Sequence, residues 1–143
     1  MLTYLNSLNV APDVCWQETA GEGRSQVTLT LLWAGQAVQA LLTGGDEPHL
    51  GGVVLAVPRP SLSGDGISAD TFIIPVPGHK DVEVALPAAT ALARLLNQPV
   101  SVSAGIHAEA MHAEEIAAVR QNCAELTQRA LAYCQACILG AVN

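Results

Sequence analysis

Lysine is nearly absent from this sequence: Lys80 is the only one, and 6 Lys+Arg stand against 13 Asp+Glu for a formal net charge of -7. So few cations argue against nucleic acid and against an anionic membrane surface as partners, since both demand neutralisation of many phosphates. Aromatic residues make up only 3% of the chain. A ring-shaped ligand must therefore rest on aliphatic walls and backbone groups rather than on a stacking platform. Long apolar runs are also missing. Ser25 to Gly45 carries no charge, but Thr, Gln and Gly interrupt it, whereas a spanning helix needs about twenty mainly apolar residues in succession. The start, MLTYLNSLNVAPDVC, has no basic segment followed by an apolar stretch and a small-residue cleavage site. No secretory signal is expected, and the expected setting is cytoplasmic. The four cysteines then read as reduced thiols, not as a disulfide framework.

What is present is a 143-residue chain that is 50% apolar, a length that suits a single domain over residues 1–143 with one sizeable core. From Gln26, Val27, Leu29, Leu31 and Trp33 alternate with Thr28, Thr30 and Leu32, the period of a half-buried strand. Ala34-Gly35 supplies a turn, and Gln36 to Thr43 completes a hairpin. Val53 to Val57, ended by Pro58 and Pro60, and Thr71 to Val76, ended by Pro77 and Gly78, read as strands three and four. Asp81 to Asn97 has helical spacing through Val84, Ala88, Ala91, Leu92 and Leu95, with Asp81 placed to cap it. Pro87 either kinks that helix or marks a later start. Val100 to Ser103 is a short strand, and a long helix from Glu109 follows, with its apolar stripe through Ile116, Val119, Cys123, Leu126, Ala130, Cys134 and Cys137.

The expected fold class is α+β: a mixed, mostly antiparallel β-sheet with two or more helices packed on one face. A crossover from Thr71 to Ser103 makes its two strands parallel, so the loops PVPGHKD and SAGIHAE should share one sheet edge. Each leads into a helix N-terminus, where free N–H groups and the macrodipole favour an anion. An unbroken last helix to Leu139 would be roughly 45 Å long, against a radius of gyration of about 14–15 Å for such a domain. The helix either breaks or extends into a partner subunit, and a homo-oligomer is the expectation.

All four histidines fall in loops: His49 in PHLG, His79 beside Gly78 and Lys80, and His107 with His112 in the third. Histidine tolerates turns, but joint confinement to glycine-flanked loops points to a shared site. Lys80 stands at a helix start where its charge opposes the dipole, which a ligand anion explains better than solubility. Glu109, His112 and Glu115, at i, i+3 and i+6, could hold a divalent cation, although acidic residues early in a helix are expected from the dipole alone. Cys134 and Cys137 lie on the apolar stripe and read as packing. Arg59, stiffened between two prolines, suits a phosphate or carboxylate, or else a surface ion pair.

Taken together, GGDEPHLGG, PRPSL, PGHKD and SAGIHAE followed by EI, spanning Gly44 to Ile116, resemble the LpdD-like prenylated-flavin chaperone family. The resemblance implies a non-catalytic protein that binds prenylated FMN, or FMN, and conveys it to a UbiD-type decarboxylase acting on an aromatic acid. It further implies cofactor-binding segments that hold His49, Arg59, Ser61, Gly78, His79, Lys80, Gly105, His107 and Glu109. A divalent metal could assist there, as it does with the same phosphate in UbiD-type enzymes. The alternative is a small metal-assisted enzyme or decarboxylase subunit using His79, His107, His112 and Glu109.

Overall fold

The computed structural model describes residues 15–140. The reading of the first fifteen residues as free of an export signal falls almost wholly outside that range. Six strands form one sheet: β1 (Cys15–Ala20), β2 (Val27–Ala34), β3 (Ala37–Gly45), β4 (Gly52–Pro60), β5 (Ile67–Pro75) and β6 (Val100–His107). Among the described residues two α-helices complete it, α1 (Val82–Leu96) and α2 (Ala113–Ile138). The strand order is β1-β2-β3-β6-β4-β5. Only β3 and β6 pair in parallel, and every other pairing is antiparallel. The fold is therefore α+β, as the periodicities imply.

Strand alternation decides which face is covered. Leu29 and Leu31 of β2, Val38 and Leu42 of β3, Val100 and Val102 of β6 and Val54 of β4 point to one side and are fully or almost fully buried. α1 packs over β4, β5 and β6, while α2 packs over β1 and β2 and against α1. The helices supply mostly small residues to that face: Ala85, Ala88, Ala89 and Ala93 from α1, and Cys123, Ala130, Cys134 and Cys137 from α2. Each fully buried Leu contributes about 1.5–3 kcal/mol. The opposite face is open, and Leu41, Leu55 and Phe72 remain exposed on it.

Four differences from the sequence reading have physical causes. β1 was not expected, because Trp16, Gln17, Glu18, Thr19 and Ala20 carry too little apolar alternation; it is an edge strand held by β2 alone. β4 continues through Pro58 and Pro60, since beyond Ala56 it has β5 on one side and no strand on the other, where a missing N–H costs nothing. α1 runs unbroken from Val82 through Pro87, so the proline does not delay its start. α2 begins at Ala113 instead of Glu109, because Ala110 adopts a left-handed φ of 48° that ends any helical continuation backwards.

Candidate functional site

The strand directions bring three loops to one edge. β3 and β6 run in parallel, so Gly45 and His107 end side by side. β5 lies across β4 from β6 and points the same way, which delivers Val76 to Lys80 to that edge as well. The sequence placed two loops there; the fold adds the one that carries His49.

This loop is laid against the end of β6 by backbone hydrogen bonds. The Asp46 N–H donates to the His107 carbonyl at 2.8 Å and the Gly51 N–H to the Ala104 carbonyl at 2.8 Å. Two glycines permit the approach. A Cβ on Gly105 would lie 1.6 Å from the His49 carbonyl oxygen, and one on Gly51 would lie 1.8 Å from Oδ2 of Asp81. The second loop turns at Gly78, whose φ is +84°, and the His79 N–H closes it on the Val76 carbonyl at 3.0 Å.

The result is a compact cluster. His49 Nε2 lies 3.1 Å from His79 Nδ1 and 3.3 Å from Asp81 Oδ2, and His79 Nδ1 lies 3.6 Å from the same oxygen. The other nitrogen of His49, Nδ1, sits 3.1 Å from the Glu47 carbonyl. As a carbonyl only accepts, Nδ1 is the donor to Glu47, which leaves Nε2 directed towards the cluster. Asp81 is nearly buried, and its Oδ1 accepts the Ile106 N–H at 2.8 Å. The His107 ring meets that of His49 edge-on, with centroids 5.9 Å apart.

Beside the cluster lies a cleft of about 270 Å³, lined in part by Lys80, Ile106, His107, Met111, Ile116 and Arg120. Arg120 on α2 is paired with Glu83 on α1 at 2.8 Å. Beyond that pair a second cavity of about 380 Å³ opens between the helices around Pro87 and Cys123.

Of the residues expected at the site, His49, Gly78, His79, Lys80, Gly105 and His107 are brought together. Glu109 stands at the rim, 93% exposed, with a carboxylate oxygen 3.9 Å from His107 Nε2. Arg59 and Ser61 are not with them. Arg59 lies near the far end of β4 and Ser61 just past it, at least seven residues from Gly52, or roughly 23 Å along an extended strand. Arg59 instead pairs with Asp70 at 2.6 Å. Glu109, His112 and Glu115 do not share a helical face, since α2 starts after His112. The Glu115 carboxylate accepts the His112 N–H at 2.8 Å, closing the start of α2. No side chain closes the start of α1. Cys123, Cys134 and Cys137 are free and buried, with the Cys123 and Cys134 thiols pushed up to about 12 by burial. They pack, as the stripe implied.

Sequence reasoning missed two residues. Asp81 read as a helix cap, yet its carboxylate makes no cap hydrogen bond and faces the histidines instead. Its place two positions after His79 was the available signal. Arg120 lies mid-helix with nothing local to mark it.

Comparison with known proteins adds the family. A family model described as the prenylated flavin chaperone LpdD-like domain matches residues 21–135. The chain belongs to this family. No curated protein matches. Among solved structures, a chain from a novel chaperone complex for yeast 20S proteasome assembly is similar, with a TM-score of 0.52 and 12% identity, covering 87% of this chain and 98% of that one. At that identity the likeness concerns the fold alone. Within the family match lie all three loops of the edge, together with Asp81 and Arg120. Among the described residues, no helix is long and apolar enough to cross a membrane.

Proposed function

We propose that this chain binds prenylated FMN at the three-loop edge and hands it to a UbiD-type aromatic acid decarboxylase. The observation that carries the reading is the convergence of His49, His79, Lys80 and His107 beside an apolar cleft, in a chain of a prenylated flavin chaperone family. Ile106, Met111, Ile116 and Val84 offer the aliphatic walls that a ring system needs where aromatics are scarce. Lys80, on the lining of the same cleft, suits a phosphate. When bound, the flavin brings its own reactivity, and this chain's residues only hold and orient it.

The size of the cleft supports transfer rather than catalysis. About 270 Å³ falls below the 300–1,000 Å³ or so of pockets that enclose a drug-sized ligand, so part of the cargo stays outside, where an acceptor can reach it. The geometry gives the enzyme alternative less support, since His112 sits at the start of α2 and Glu109 is exposed at the rim. Arg59 and Ser61 would belong to a separate contact at the far end of the sheet. Within this reading the chain works in the cytoplasm as a homo-oligomer, which the uncovered sheet face carrying Leu41, Leu55 and Phe72 supports. Sedimentation analysis tests that state.

The functional test is transfer. Chain loaded with prenylated FMN, mixed anaerobically with an apo-decarboxylase, should restore decarboxylation in proportion to the loaded chain added. Activation no better than that from an equal amount of free prenylated FMN would overturn the reading.

A further inference from the structure

We infer that His49, His79 and Asp81 bind a divalent transition cation, such as Zn²⁺ or Mn²⁺, whose open positions take the phosphate of the flavin. The phosphate part rests on the function proposed above; the cation site does not.

Ligand spacing is the first support. The three candidate atoms are 3.1, 3.3 and 3.6 Å apart. Metal–ligand bonds of about 2.0–2.2 Å in a tetrahedral arrangement put neighbouring ligand atoms about 3.3–3.6 Å apart. Two imidazoles and one carboxylate are also a donor set that transition cations favour. Orientation is the second support. His49 is fixed through Nδ1 by the Glu47 carbonyl, and Asp81 through Oδ1 by the Ile106 N–H, so each turns its other atom inward, as the outer partners of metal ligands do. The missing Cβ of Gly51 leaves the space that Asp81 Oδ2 occupies.

Electrostatics is the third. Oδ2 belongs to a side chain 8% exposed, and its partners among the described residues are the two imidazoles. Two imidazole nitrogens and this carboxylate oxygen therefore converge on one point, an arrangement that suits a cation. Burial is graded, from Asp81 at 8% through His49 at 23% to His79 at 37%. The open side of the cation would therefore face the cleft. There Arg120 is paired with Glu83, so Lys80 faces a phosphate dianion with little cationic help. A divalent cation adds the charge.

The test titrates the untagged full chain with Co²⁺, whose visible d–d absorption reports imidazole and carboxylate ligation. One equivalent should bind, with His79→Gln and Asp81→Asn each weakening it more than about tenfold, while His112→Gln binds as the parent does. His79 is partly exposed, so its variant carries the test if Asp81→Asn does not fold. Co²⁺ should then raise affinity for FMN at least tenfold and leave riboflavin, which lacks the phosphate, unchanged. Binding no stronger than in His79→Gln overturns the cation site; equal gains for FMN and riboflavin overturn the phosphate contact. A chain that binds Co²⁺ yet retains no prenylated flavin refutes the functional reading and leaves the cation site standing. Retention of the flavin without Co²⁺ binding does the reverse.

Discussion

Gly105→Ala gives a prediction in which even the sign is informative. Gly105 lies in β6 outside the left-handed region. With free space, alanine there would stabilise the chain by about 0.4–1 kcal/mol through the unfolded state. Space is what the site lacks. The new Cβ would lie 1.6 Å from the His49 oxygen and 2.3 Å from the His49 carbonyl carbon. Both are backbone atoms, and no rotamer change relieves the overlap. The loop from Asp46 to Gly51 must lift away, at the expense of hydrogen bonds from His49 to Gly105 (3.5 Å), from Gly51 to Ala104 (2.8 Å) and from Asp46 to His107 (2.8 Å). At about 1 kcal/mol net each, losing two or three costs about 2–3 kcal/mol, which lowers Tm by about 10 °C for a chain of this length. Urea unfolding followed by circular dichroism measures the change, and Co²⁺ titration should show the cluster lost with it. A Gly105→Ala variant as stable as the parent, or more so, would refute the packing of the His49 loop against β6 and with it the geometry of the site.

Three other outcomes follow from the same structure. Burial raises the Cys123 and Cys134 thiols from 9.0 to about 12, so their contribution to stability is intact below pH 9 and is lost as the pH rises towards 12. The loss is about 1.4 kcal/mol per pH unit for each thiol, and chemical unfolding at pH 8, 9 and 10 should show it, with a shallower decline in Cys134→Ala. Glu115→Gln keeps a hydrogen-bond acceptor but removes the charge near the start of α2, as well as a partner 3.6 Å from Arg24. It should cost about 0.3–1 kcal/mol in thermal unfolding and leave flavin retention intact. Arg59→Ala, roughly 23 Å along the strand from the cluster, should leave both Co²⁺ affinity and flavin retention unchanged in the titrations above.

Much of this layout could be read from residues. The β2–β3 hairpin follows from two alternating runs and Gly35, and the shared edge of the second and third loops follows from the strand directions around α1. The site was partly legible because histidine, glycine and lysine are conspicuous in a bland chain. What stayed hidden depends on non-local pairing. The insertion of β6 between β3 and β4 brings the His49 loop to His79, and no spacing along the chain encodes that neighbour choice. Asp81 carried two local meanings, helix start and ligand, and only the position of the Ile106 N–H separates them. Arg59 misled because prolines and a terminal arginine look the same at either end of a strand.

The most direct test of the central claim is the ligand retained after anaerobic co-expression with a flavin prenyltransferase, read by absorbance and mass for the parent, His79→Gln and Arg59→Ala side by side. The account predicts prenylated FMN on the parent and on Arg59→Ala, with most of it lost from His79→Gln. Colourless, flavin-free parent protein, or equal retention by His79→Gln, would contradict it.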